Sequence, residues 1–377
     1  MSVEAAGIVI PRELRPRDGR FGSGPSKVRP EALDALAATG TGLLGTSHRQ
    51  EGVRSIVRRV KHGLSELFGL PAGFEVLLGN GGTTAFWDAL AIGVIENLSQ
   101  HAVFGEFSSK FAECVRLAPH LADPELIEAE PGTAPGPFDV SEADFYALCQ
   151  NETSTGVQTL VRRPAPGAFT AVDATSAAGG LPLDPHQVDI YYFAPQKCFA
   201  SDGGLWIALC SPAAIERIEK VHETDRYIPP SLDLAIALDN SRKDQTYNTP
   251  ALATLFMLAE QLECMLDSGG LEWAVGRCAR SADILYGWSE GSPYAEPFVK
   301  DPEERSRVVA TIDLADAVDG KRVAAVLRAN GIVDTEPYRK LGRNQLRIAL
   351  YPAIEPSDVE LLTRSIDHVV EALGPDL

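Results

Sequence analysis

"VDIYYFAPQKCFASDGGLWIALC", residues 188–210, sets two apolar runs on either side of a polar hinge. "VDIYYFA" and "LWIALC" both read as buried β-strands. Lys197 stands at the start of the hinge. An ammonium taken out of water is unfavourable unless it is paired or neutralised. Lys197 is therefore either a solvated loop residue or a covalent-catalysis lysine, its pKa lowered by burial so that the amine can form a Schiff base.

The next strand candidate upstream, "FTAVDA", carries Asp173 at its end, twenty-four residues before Lys197. That interval fits one strand-to-strand excursion and puts both residues at the carboxyl edge of a parallel sheet, where α/β proteins bind ligands. A lone buried carboxylate has few innocent uses, although Asp173 could also cap a helix. Further upstream, "LLGNGGTTAFWDAL" ends a strand at Asn80, turns through Gly81 and Gly82, and opens a helix at Thr83 and Thr84. Free N–H groups at a helix start, with threonine hydroxyls, can cradle a phosphate. The segment has neither a P-loop nor a dinucleotide fingerprint.

"HAVFG" and "FYALCQ" are further strand candidates, and "VRSIVRRVKHGLSELFGL" has helical spacing that stops at Gly69. Strands and helices alternate, which predicts an α/β architecture with a mostly parallel sheet. Only "EAEPGTAPGPFDVSEAD", around 128–144, is rich in loop residues. "PALATLFMLAEQLECMLD" predicts a long helix that stops at Gly269-Gly270. The remainder reads as helix, strand, helix, strand and helix, a small α+β domain. The expected division is an N-terminal arm (1–20), a large domain (21–268) and a small domain (269–377), with the ligand cleft between the last two.

The net charge of −18 disfavours binding nucleic acid or anionic membranes through a general field. Any anionic substrate needs a local cluster of cations. "DTEPYRKLGRNQLRIALYP" supplies Arg339, Lys340, Arg343 and Arg347, and "LGTSHRQ" adds His48 and Arg49. Arginine can clamp a carboxylate or phosphate with two parallel hydrogen bonds. The six cysteines form no C-x-x-C pair and read as reduced, mostly buried thiols. The seven histidines lack zinc spacing, so no metal is expected. No signal peptide or membrane-length apolar run is evident, and a cytoplasmic location is the default.

A helix-end anion site, a carboxylate able to pair with a pyridinium and a lysine able to form an imine together suit pyridoxal phosphate. Lys197, once displaced by substrate, would move the Cα proton.

The ordered set "RDGRFGSGPSKVRPEAL", "GTSHRQ", "GNGGTTAFWD", "GEFSSKFA", "NETSTG", "VDATSAAGG", "YYFAPQKCFASDGG", "QTYNTPA" and "GIVDTEPYRKLGRNQLRIALYPAIEP" resembles the phosphoserine aminotransferases, especially their actinobacterial branch. These are class V, fold-type I pyridoxal-phosphate enzymes. The resemblance implies a seven-stranded, mostly parallel sheet between helices and one cofactor per subunit, linked to Lys197 and paired through Asp173. It implies that Gly82, Thr83 and Gln196 hold the cofactor phosphate and that Thr153 bonds its ring oxygen. Phe107 stands where many members stack a tryptophan on the ring, and Thr83 stands where many carry arginine. Asn248 and Thr249 would reach the neighbouring subunit's cofactor in a homodimer. Ser23 and Arg49 would contact the amino-acid substrate and Arg347 its α-carboxylate, leaving His48 with Arg339 or Arg343 for its phosphate or side-chain carboxylate. The implied reaction moves an amino group from L-glutamate to 3-phosphohydroxypyruvate, and the family often also aminates a phosphorylated four-carbon oxo acid for vitamin B6. Other class V transaminases, such as the alanine–glyoxylate type, are the near alternative. Cysteine desulfurases share the fold, but no cysteine follows Cys278 and Gln196 stands where they commonly have histidine.

Overall fold

The computed structural model describes residues 7–138 and 141–374 of the 377. Twelve strands occur among them: β1 (Glu75–Asn80), β2 (Ser99–Val103), β3 (Glu125–Glu128), β4 (Phe145–Cys149), β5 (Asn151–Glu152), β6 (Val157–Gln158), β7 (Thr170–Asp173), β8 (Ile190–Phe193), β9 (Leu205–Cys210), β10 (Ala295–Pro297), β11 (Val309–Leu314) and β12 (Gln345–Ala349). The helices are α1 (Pro30–Ala38), α2 (Glu51–Leu67), α3 (Gly82–Gly93), α4 (Glu106–Arg116), α5 (Pro212–His222), α6 (Leu234–Arg242), α7 (Leu252–Asp267), α8 (Gly270–Gly291), α9 (Gly320–Ala329) and α10 (Pro356–Leu373).

Seven strands form one sheet in the order β1-β9-β8-β7-β4-β2-β3. Only β9 is antiparallel to its neighbours; the other pairings are parallel. Because β9 reverses and β1 pairs against it, β1 runs in the same direction as β8. Six of the seven strands therefore deliver their carboxyl ends to one edge. Both faces of the sheet are covered, which is why its inner strands read as continuous apolar runs rather than alternating ones. Tyr191 and Phe193 of β8 pack on the face beneath α2 and α7, while Ile190 and Tyr192 pack on the opposite face beneath α3, α4 and α5. Alternation along the strand distributes them. Buried Val53, Ile56, Val57, Val60, Leu64 and Leu67 line one side of α2, each contributing about 1.5–3 kcal/mol on burial.

β10, β11 and β12 make a second, antiparallel sheet, flanked by α8, α9 and α10. The N-terminal segment packs here. Ile10 N–H donates to Asn330 Oδ1 and Arg17 N–H to Asp358 Oδ1. Val333 N–H donates to the Gly19 carbonyl, and Phe21 N–H to the Val333 carbonyl. Of the arm expected over 1–20, residues 1–6 lie outside the described residues. Among the described residues no helix is long and apolar enough to cross a membrane.

Candidate active site

The carboxyl edge of the large sheet encloses a cavity of about 370 Å³, lined among others by Thr83, Phe107, Thr153, Asp173, Gln196 and Lys197. They arrive from five strand ends. Thr83 follows β1 through the positive-φ glycines Gly81 and Gly82. Phe107 follows β2, Thr153 follows the short β5 just beyond β4, Asp173 closes β7, and Gln196 and Lys197 follow β8.

Lys197 is 8% exposed, and its Nζ donates to the Ser23 carbonyl at 2.5 Å. Burial and then the nearby Arg347 guanidinium lower its pKa to about 8, against an ordinary 10.5. Asp173 is also buried. Its Oδ1 accepts from Thr175 N–H (2.9 Å) and the Thr175 hydroxyl (2.5 Å), and its Oδ2 from Trp87 Nε1–H (3.0 Å). Burial pushes its carboxyl above the usual range, against these three donors, which favour the anion.

The Thr153 hydroxyl donates to Ser176 Oγ (2.7 Å), as does Asn151 Nδ2 (2.8 Å). Arg347 Nη1 donates to the Thr153 carbonyl (3.2 Å), and its guanidinium lies over the Tyr338 ring at 5.2 Å. Burial lowers the pKa of Arg347.

The remaining sequence candidates divide into three groups. The Ser23 carbonyl accepts from both Lys197 and the Tyr351 hydroxyl. His48 Nδ1 and the Thr249 hydroxyl pair at 3.1 Å; these two, with Arg49 and Asn248, stand outside the lining of this cavity. Asn248 lines a second cavity of about 300 Å³ with Gly79, Asn80 and Gly81. Arg343 is engaged elsewhere: its guanidinium makes two hydrogen bonds to Asp313 and lies over Phe298 at 4.5 Å. Lys340 pairs with Glu106. Arg339 is exposed on the short turn that carries Lys340. Arg347 thus stands behind the lining residue Thr153, near enough to Lys197 to influence its charge, while Arg343 is tied to a carboxylate.

The lining suits an aromatic, phosphate-bearing group. Buried side-chain atoms without partners among the described residues include Gln196 Oε1, Asn151 Oδ1 and Arg347 Nε. Such atoms are expected to meet a bound molecule. Gly24 is a close approach: a Cβ there would stand 2.1 Å from Lys197 Nζ. The α3 N-terminus adds free N–H groups beside Thr83 and Thr84.

Trp87, Thr175, Ser176, Asn151 and Tyr338 escape the sequence reading. Trp87 had a usable signal, since it lies four residues after Thr83 and so on the same helical face. Thr175 bonds Asp173 only two residues away, a local turn contact, whereas Ser176, Asn151 and Tyr338 depend on contacts distant in sequence.

Residues 140–336 match the family model described as aminotransferase class-V. The chain is 62% identical to "Phosphoserine aminotransferase" of a Nocardioides species, over 97% of this chain and 99% of that one. The fold matches a phosphoserine aminotransferase of Cytophaga hutchinsonii, with TM-score 0.86, 24% identity and coverage of 92% and 97% of the two chains. It also matches the PLP-bound phosphoserine aminotransferase of Trichomonas vaginalis, with TM-score 0.80, 20% identity and coverage of 93% and 100%. With a large, mostly parallel sheet, a buried lysine and a buried aspartate facing one cavity, and close relatives over nearly its full length, this chain belongs to the phosphoserine aminotransferase family of the class V aminotransferases.

Proposed function

We propose that this chain uses pyridoxal phosphate, anchored covalently at Lys197, to move an amino group from L-glutamate to 3-phosphohydroxypyruvate, yielding 2-oxoglutarate and O-phospho-L-serine. The single observation that carries the reading is the pair of buried opposite charges, Lys197 and Asp173, on one cavity at the carboxyl edge of the sheet. Pyridoxal phosphate, when bound, supplies an electron-withdrawing ring that takes up the electrons left when the substrate Cα–H bond breaks.

Lys197 Nζ is the base. With its pKa lowered to about 8, a useful fraction is neutral near physiological pH, so it can take a proton from the substrate Cα and return one. Asp173, oriented by Trp87 and Thr175, holds a proton on the ring nitrogen. Thr83, the α3 N-terminus and Gln196 hold the cofactor phosphate, Phe107 packs on the ring, and Thr153 bonds the ring oxygen. Arg347, with its Nε open and its Nη1 fixed on Thr153, takes the α-carboxylate. Arg49 and Arg339 supply cations for the distal acidic group, His48, which burial keeps neutral, offers a hydrogen bond to it, and Ser23 contacts the amino acid. Arg343 is left out because Asp313 already occupies it. In a homodimer, Asn248 and Thr249 serve the partner's site.

The test is a visible absorption spectrum of the loaded protein before and after O-phospho-L-serine. Loss of the band of the lysine-linked cofactor, reversed by 2-oxoglutarate, is expected. A band untouched by phosphoserine but bleached by L-alanine would move the substrate to a non-phosphorylated amino acid.

A further inference from the structure

Glu152 immediately precedes Thr153, and its side chain has no solvent exposure. Five donors converge on its carboxylate. Oε2 accepts from Phe107 N–H (3.1 Å), Ser108 N–H (3.0 Å) and the Ser108 hydroxyl (3.0 Å). Oε1 accepts from Ser154 N–H (3.2 Å) and the Ser154 hydroxyl (2.7 Å). The Ser154 hydroxyl oxygen in turn accepts from Glu106 N–H (3.0 Å). Three first-turn N–H groups of α4, which no helical bond can satisfy, are thereby closed by the turn after β5. The partial positive charge of a helix start favours an anion in that position. The fit is close, because a Cβ on Gly105 would lie 2.4 Å from Glu152 Cγ.

Two chains of contact lead from this carboxylate to Arg347. One passes through the next residue, since the Thr153 carbonyl accepts from Arg347 Nη1. The other passes through Phe107, whose ring lies 6.2 Å from the Tyr338 ring that carries the Arg347 guanidinium. Phe107 and Thr153 both line the cavity. We propose that Glu152 is the positioning residue of this site: by locking the first turn of α4 to the Glu152–Ser154 turn, it sets Phe107 against the cofactor ring and Arg347 against the substrate carboxylate. The proposal rests on the cofactor reading of the cavity given above.

Glu152→Gln keeps the shape but turns an amide NH₂ toward N–H donors. In the cofactor-free protein, hydrogen exchange at the Phe107 and Ser108 amides is expected to quicken by about tenfold or more. Affinity for pyridoxal phosphate should fall by roughly tenfold, and the visible circular dichroism of the loaded protein, which reports ring orientation, should change. Adding Phe107→Leu should cause little further loss in affinity beyond Phe107→Leu alone, as coupled residues do. If Glu152→Gln does not fold, Ser154→Ala, which removes one donor, should give a smaller change of the same kind. Wild-type exchange at both amides in the folded variant, or wild-type dichroism and affinity, would overturn the proposal. A wild-type chain that takes up no pyridoxal phosphate would instead sink the cofactor reading, and the amide exchange would still decide whether Glu152 locks α4.

Discussion

Burial, with the Arg347 guanidinium nearby, weakens the hold of Lys197 on its proton. With a pKa of about 8 in the folded chain and 10.5 ordinarily, the unfolded chain binds more protons at this position between those pH values. Its destabilising effect is therefore fully present below pH 8 and fades as pH rises through that window. The same shift predicts that the rate of pyridoxal phosphate capture by cofactor-free protein climbs with a midpoint near pH 8; a midpoint near 10.5 would mean the amine is solvated. Asp173→Asn should retain cofactor yet lower kcat by about a hundredfold or more, in line with loss of a well-placed acid–base or electrostatic group. Trp87→Phe, which removes only one of three donors to Asp173, should lower kcat by about tenfold, within the worth of a hydrogen bond to a charged group. Stopped-flow capture and steady-state rates measure these. Lys197 and Asp173 were legible in the sequence because buried charge at a strand end is unusual enough to need a reason. Glu152 was not, because three of its five donors lie some 45 residues away on α4.

Among the elements, β2 carries an unannounced titrating group. His101 is buried, with Nε2 2.9 Å from the Ser99 hydroxyl and its ring 4.9 Å from that of Phe111. Burial holds its pKa at about 3, against an ordinary 6.5. The unfolded chain takes up this proton first as pH falls below 6.5, so stability is lost progressively toward pH 3. Between pH 7 and 4.5 the loss from this one group is on the order of 2–3 kcal/mol, and His101→Gln should flatten that limb in denaturant titrations at the two pH values. The strands flanking Lys197 and Asp173 were readable from apolar runs, and "LWIALC" coincides with β9. α4, α5 and α6 were not assigned, nor was the edge strand β3. The helix start of α4 depends on Glu152 and Ser154 rather than on a cap of its own, since its N-cap is Gly105 and makes no side-chain bond. β3 is a half-exposed "ELIE", whose short alternation carries little signal.

Across the whole molecule, the small sheet touches the segment after β5, where Arg347 Nη1 donates to the Thr153 carbonyl and the Thr311 hydroxyl to that of Thr155. If sites are composite across a homodimer, Lys197→Ala and Asn248→Ala/Thr249→Ala chains, each nearly inactive alone, should recover about a quarter of wild-type activity after mixed refolding. Half of randomly paired dimers are hybrids, with one intact site in each. No recovery, with hybrids shown to form by differential tagging, would mean each chain completes its own site. The α/β class was legible from alternating strands and helices. The pairing of the N-terminal segment with Val333, Asn330 and Asp358 was not, because polar backbone contacts leave no periodic trace. One carbonyl, that of Ser23, accepts from both Lys197 and Tyr351, so two residues 328 positions apart meet beside the buried amine. On the ribosome, a nascent chain can assemble the sheet and still lack the seat of its lysine until Tyr351 has emerged. Truncated products released before that point would be expected to retain the fold of the early strands without acquiring a working active site.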